Sequence, residues 1–142
     1  MMQEKQIIYE SEVFKIELYR HQDLLVQHWF GPLTEETYKA NMESLVQHTL
    51  ANKPIYRMLV FPHTSFVISP ALQEWTNAHI FAVMTENPLQ KVAFVFPEAF
   101  RSIISIEHLA IEQTMEENKG KKYQIHYFFN RIEAKNWLMA SR

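Results

Sequence analysis

Histidine, serine, threonine and glutamate carry whatever acid–base or nucleophilic chemistry this chain offers, because it has seven His and no Cys. Without Cys there are no disulfides, thiolate metal sites or Cys nucleophile, and a reducing compartment fits. His21, His28, His48, His63, His79, His108 and His126 show no His-x-His, His-x3-His or His-Glu-x-x-His spacing. A metal centre is therefore not expected, and these residues read as surface or half-buried side chains. A Ser, a His and a Glu can in principle form a hydrolase triad, but no Gly-x-Ser-x-Gly elbow exists. The only glycines, Gly31 and Gly120, stand at element boundaries rather than in the loops that hold those residues. With no Gly-rich phosphate loop either, a P-loop or dinucleotide site is set aside, and neither enzymatic activity nor a cofactor is expected.

The candidate residues sit at the ends of predicted elements. In Val13 to Tyr19, Phe14, Ile16 and Leu18 share one face and Lys15 and Glu17 the other, the pattern of a half-buried strand. His21, Gln22 and Asp23 break the chain before a second apolar run, Leu24 to Phe30, which ends at Gly31-Pro32; the two runs should pair as an antiparallel hairpin. Thr34 with Glu35 and Glu36 marks a helix start, and Tyr38, Met42, Leu45, Val46 and Thr49 recur at helical spacing to about Asn52. Tyr56 to Phe61 reads as a strand covered on both faces and stopped by Pro62. Ser69-Pro70 is an N-cap with proline at the first helical position, opening a helix whose predicted buried face carries Leu72, Trp75, His79 and Val83. On that face His79 reads as a core-edge histidine.

Val92 to Phe96, wholly apolar and closed by Pro97, is the predicted central strand. A third helix is expected from Ser102 or Ser105 to Gly120, burying Ile106, Leu109 and Met115. Tyr123 to Phe129 is the last strand, and Asn130 with Glu133 begins a final helix carrying Ile132, Trp137 and Leu138. A hairpin followed by alternating helix and strand implies one α/β domain spanning 1–142, with a mixed, mainly parallel five-stranded sheet and about four helices. Ligands of such sheets gather beyond the carboxyl ends of parallel strands, which selects His63, Thr64 and Ser65, then Glu98, then Asn130.

Composition narrows the partners. Hydrophobic residues make up 47%, including ten Phe, six Tyr and three Trp, enough for a dense core in a 142-residue chain. A net charge of -2, without a basic stripe, makes nucleic acid a poor partner. Charges in Met1 to Glu10 occupy the place of a signal peptide's apolar stretch, and no apolar run is long enough to span a membrane, so a cytoplasmic location is expected. High aromatic and Met content, with a first amphipathic strand placed at a sheet edge, leads to the expectation of a homodimer.

The element order, together with Leu24–Phe30 (LLVQHWF), Ile68–Trp75 (ISPALQEW), Lys91–Pro97 (KVAFVFP) and Tyr127–Leu138 (YFFNRIEAKNWL), resembles the STAS, or SpoIIAA-like, domains, and in particular a bacterial STAS/SEC14 subgroup. These segments are strand cores and helix starts, so the resemblance implies a fold and, through it, a non-enzymatic regulatory or protein-interaction domain. In STAS regulators a phosphorylatable Ser or Thr opens the helix after the third strand, commonly behind an acidic residue. Ser69 matches by position, within a stretch that lacks the Asp. The SEC14 likeness implies an alternative, a small apolar ligand such as a lipid, for which Met42, Met58, Met84 and Met115 would supply an adaptable lining.

Overall fold

The computed structural model describes residues 5–64, 69–100 and 123–140. Its strands are β1 (Gln6–Glu10), β2 (Phe14–Tyr19), β3 (Leu24–Trp29), β4 (Arg57–Pro62), β5 (Lys91–Val95) and β6 (Gln124–Phe128). They form one six-stranded sheet in the order β1-β2-β3-β4-β5-β6. The pairings β1–β2 and β2–β3 are antiparallel; β3–β4, β4–β5 and β5–β6 are parallel. The mixed α/β class is as expected, but six strands replace the expected five. The additional strand, β1, comes from a segment whose charged ends masked Ile7, Ile8 and Tyr9, and a bulge between Ile7 and Tyr9 further breaks its alternation. β1 also takes the edge position that the sequence assigned to Phe14–Tyr19. The central pair is β3–β4, with β5 one place from the edge.

Helix α1 (Glu35–Ala51) is capped by Thr34, whose hydroxyl accepts from Thr37 N while the Thr37 hydroxyl accepts from Thr34 N. Helix α2 covers residues 70–84 and contains a π turn at Asn77–Phe81. Helix α3 (Arg131–Met139) is capped by Asn130 Oδ1, which accepts from Ile132 N and Glu133 N. The predicted third helix, with Ile106, Leu109 and Met115, lies outside the described residues, as does Ser65.

Strand alternation sends side chains to two faces. Phe14, Ile16, Leu18, Leu25, Trp29, Met58, Val60 and Val92 pack under Tyr38, Met42 and Leu45 of α1 and Leu72 and Ile80 of α2. On α2 the buried line is Leu72, Thr76 and Ile80; Val83 is 40% exposed and His79 lies at the surface, its ring against Trp75. The predicted stripe Leu72-Trp75-His79-Val83 is thus one residue out of phase, because Tyr38 Oη meets Thr76 Oγ1 at 2.9 Å and fixes Thr76 inward. Met42 and Met58 belong to this packed core, and Met84 lies against it.

On the second face, Leu24, Val26, Leu59, Phe61, Ala93 and Val95 meet Ala134 and Leu138 of α3, while Ile132 of the same helix is 68% exposed. Two cations seat this helix by its last turn: Arg57 Nε donates to Leu138 O at 3.0 Å and Lys91 Nζ to Trp137 O at 2.8 Å. Positive charge at the negative end of the helix dipole is favourable. Arg57 and Lys91 begin β4 and β5, so the C-terminus of α3 is held over the strand starts and its N-terminus reaches the carboxyl ends. At nine residues α3 is about 14 Å long. It packs chiefly on β4, β5 and β6 and reaches Tyr19 at the end of β2, where Lys135 Nζ lies 5.9 Å from the ring centroid, whereas Lys15, Glu17 and His28 on the same face are packed by one another.

Candidate functional site

This part of the second face holds a connected polar and aromatic cluster. Antiparallel pairing sets Lys15 opposite His28 and brings Glu17, two residues along β2, to the same face. Glu17 is only 5% exposed, although its alternation marks it as outward. Its carboxylate lies 3.3 Å from Lys15 Nζ, 3.5 Å from Lys5 Nζ and 3.5 Å from His28 Nε2. A buried carboxylate without such partners would be costly. The other nitrogen of the same imidazole, His28 Nδ1, is 3.1 Å from His63 Nε2.

The parallel crossover through α1 delivers His63. In register, His28 stands beside Phe61 on β4, and His63 N donates to Trp29 O at 2.7 Å, extending the ladder past Pro62. Phe30 and His63 are neighbours in the same way. Four rings result, all nearly parallel: His28–Phe61 centroids are 4.9 Å apart at 9°, Phe30–His63 5.0 Å at 8°, and His28–His63 5.4 Å at 7°. The two imidazoles therefore meet edge to edge in almost one plane, nitrogen facing nitrogen, which is the geometry of a shared proton. Arg131, the first residue of α3, lays its guanidinium 5.5 Å from the Phe61 centroid.

Burial lowers the pKa of His28 below the usual imidazole value near 6.5; Lys15 and His63 push the same way, against the opposing pull of Glu17. Burial, then Lys15, lowers that of His63. Both rings are consequently neutral at pH 7. With His28 Nε2–H directed at Glu17, His28 Nδ1 accepts from His63 Nε2–H, and His63 Nδ1 is left as the outer lone pair. Glu17, His28 and His63 thus form a chain of polar contacts that runs from the surface to a buried carboxylate.

Of the residues selected from sequence, His63 is in this cluster and Thr64 follows it. Thr64 lies directly over Gly31: a Cβ on Gly31 would sit 2.7 Å from Thr64 Cβ. The expectation that no glycine serves these loops is therefore corrected, since Gly31 is what permits the β3 and β4 ends to close on one another. Ser69 is exposed at the start of α2, with its hydroxyl accepting from Leu72 N at 3.2 Å, an N-cap with Pro70 behind it. Glu98 and Asn130 share an open cleft of about 420 Å³ with Tyr127, Phe128, Phe129 and Glu133. The Asn130 oxygen there is occupied by capping α3.

Sequence reasoning passed over Glu17, His28, Phe30 and Arg131. Alternation could have grouped Lys15 with Glu17 and His28 with Phe30, and the hairpin register could have joined the two pairs; nothing local links them to His63. No group of three His, Asp or Glu among the described residues is arranged to hold a metal ion. No helix among them is long and apolar enough to cross a membrane. No family model matches the chain, and no curated protein or solved structure is significantly similar to it.

Proposed function

We propose that this chain is a STAS-type regulatory or protein-interaction domain rather than an enzyme. The observation that carries the reading is the placement of Ser69: exposed, capping the helix that follows β4, and six residues along the sequence from His63 of the ring cluster. A recognition surface needs side chains displayed on rigid elements, and here strand register fixes the rings while a helix cap fixes Ser69. The order of a hairpin followed by helix–strand alternation supports the SpoIIAA-like assignment. Burial of Met42 of α1 and Met58 of β4 in one packed core cluster speaks for a filled core over the SEC14-type lipid chamber. The exposed edge strand β1, with Ile7 49% exposed, supports self-association as a homodimer, which light scattering at micromolar concentration tests.

The test of function is chemical crosslinking of the full chain at native expression level, followed by binding measurements with the purified partner. A partner whose affinity changes with Ser69→Asp, while the unfolding midpoint does not, supports the reading. A reproducibly co-purifying lipid in native mass spectrometry, with no protein partner, overturns it in favour of the apolar-ligand alternative.

A further inference from the structure

The ring cluster has properties that its part in the fold does not require. A sheet face is most simply finished with aliphatic side chains under a helix, as Leu24, Val26, Leu59 and Ala93 are under α3. A few residues away, the same face instead holds a carboxylate, two imidazoles of lowered basicity and an ammonium group, half open to solvent. Linked titratable groups of this kind cluster at functional sites.

Charge and shape indicate the ligand. Lys5 and Lys15 outnumber Glu17, and Arg131 adds a third cation over Phe61 that makes no ion pair among the described residues. In a chain of net charge -2 this is a local excess of positive charge. The cations surround near-parallel rings, of which His63 is exposed and Phe30 half-buried. Arg131 lies 5.5 Å and His63 6.1 Å from the Phe61 ring centroid, so a flat ring laid against these rings would carry an anionic substituent toward both cationic groups.

We propose that the Phe30, His63 and Arg131 surface binds a small aromatic anion and takes up one proton with it. The anion stabilises the charged form of His63: a proton adds at Nδ1, and the positive charge is shared through Nε2–H and His28 Nδ1 toward the Glu17 carboxylate. The charged and titratable groups facing the pair are Lys5 before β1, Lys15 and Glu17 of β2, and Arg131 of α3; farther along the same face Lys135 of α3 lies over Tyr19 at the other end of β2, and β5 presents Ala93, Val95 and, at its start, Lys91, whose Nζ is engaged by Trp137 O. Without ligand, burial and Lys15 hold both rings toward the neutral form, so anion binding and proton uptake favour one another. This goes beyond the interaction-domain reading and stands independently of it.

The experiment is isothermal titration calorimetry of the full chain with benzenesulfonate, whose charge does not change with pH, so any linked proton belongs to the protein. Sulfate and benzyl alcohol isolate the anion and the ring. Benzenesulfonate should bind more tightly than either, and at least about fivefold more tightly at pH 6 than at pH 8, with a buffer-dependent heat reporting proton uptake. His63→Gln should abolish the pH dependence, and Arg131→Gln should weaken binding by a similar factor at both pH values; both residues are exposed, and circular dichroism verifies that the variants fold. The proposal is overturned if benzenesulfonate does not bind, binds equally at both pH values, or is matched by sulfate, which would indicate an unspecific cationic patch. It is also overturned if His63→Gln keeps the pH dependence.

Discussion

Glu17→Gln removes the charge at the centre of the cluster while keeping its shape. Three groups lie 3.3 to 3.5 Å from the carboxylate, two of them lysines. A unit ion pair at that distance is worth about 5 kcal/mol in Coulomb energy at an effective dielectric constant near 20, before desolvation. Most of this is not net stability, because burying a carboxylate costs several kcal/mol and an amide is cheaper to bury. The lysines left behind are also not trapped, since the Lys5 side chain is 48% exposed and that of Lys15 is 23% exposed. What is lost is close to the net value of charge-assisted hydrogen bonding, about 1 to 3 kcal/mol. Urea unfolding should show a lower midpoint at unchanged slope. NMR titration supplies a signed check. Glu17 pulls the His28 pKa upward, so Glu17→Gln should lower it further, whereas Lys15→Met should raise both His28 and His63. A Glu17→Gln protein with wild-type midpoint and wild-type His28 titration would refute the arrangement.

Three further outcomes are expected. Ser69→Ala should cost about 0.5 to 1 kcal/mol, the lower part of the N-cap range because the single 3.2 Å bond to Leu72 N is at the surface, and Ser69→Asp should stay near wild type in the same denaturation assay. Gly31→Ala should destabilise by about 1 to 3 kcal/mol, since the added methyl carbon would lie 2.7 Å from Thr64 Cβ, and adding Thr64→Gly should recover much of the loss. Because His28 and His63 have folded pKa values below the unfolded value near 6.5, the unfolded chain binds more protons as pH falls through that value. Their contribution to stability is thus complete above about pH 7 and declines below about pH 6.5 toward the folded pKa values; unfolding midpoints of a His28→Gln, His63→Gln double variant should be flatter across that window than those of wild type.

Local chemistry determined much of this protein. Thr34, Ser69 and Asn130 cap helices because each offers an oxygen to orphan backbone N–H groups, and that signal is complete within three residues. The hairpin from Phe14 to Trp29 follows from alternation interrupted by His21 to Asp23, with Asp23 taking the left-handed conformation at φ 50°. The faces and neighbours of those elements were settled by the tertiary structure. β1 is a strand only because β2 offers it an edge. The stripe of α2 is phased by Tyr38 on another helix, and α3 covers one part of the second face because Arg57 and Lys91 hold its last turn. The site shows the division most clearly. His28 and His63 are 35 residues apart, and their imidazoles meet at 3.1 Å through parallel register across a helical crossover. Glu17, outward by alternation, is buried because a sheet face is closed by whatever packs above it, and here its own ion-pair and imidazole partners do so.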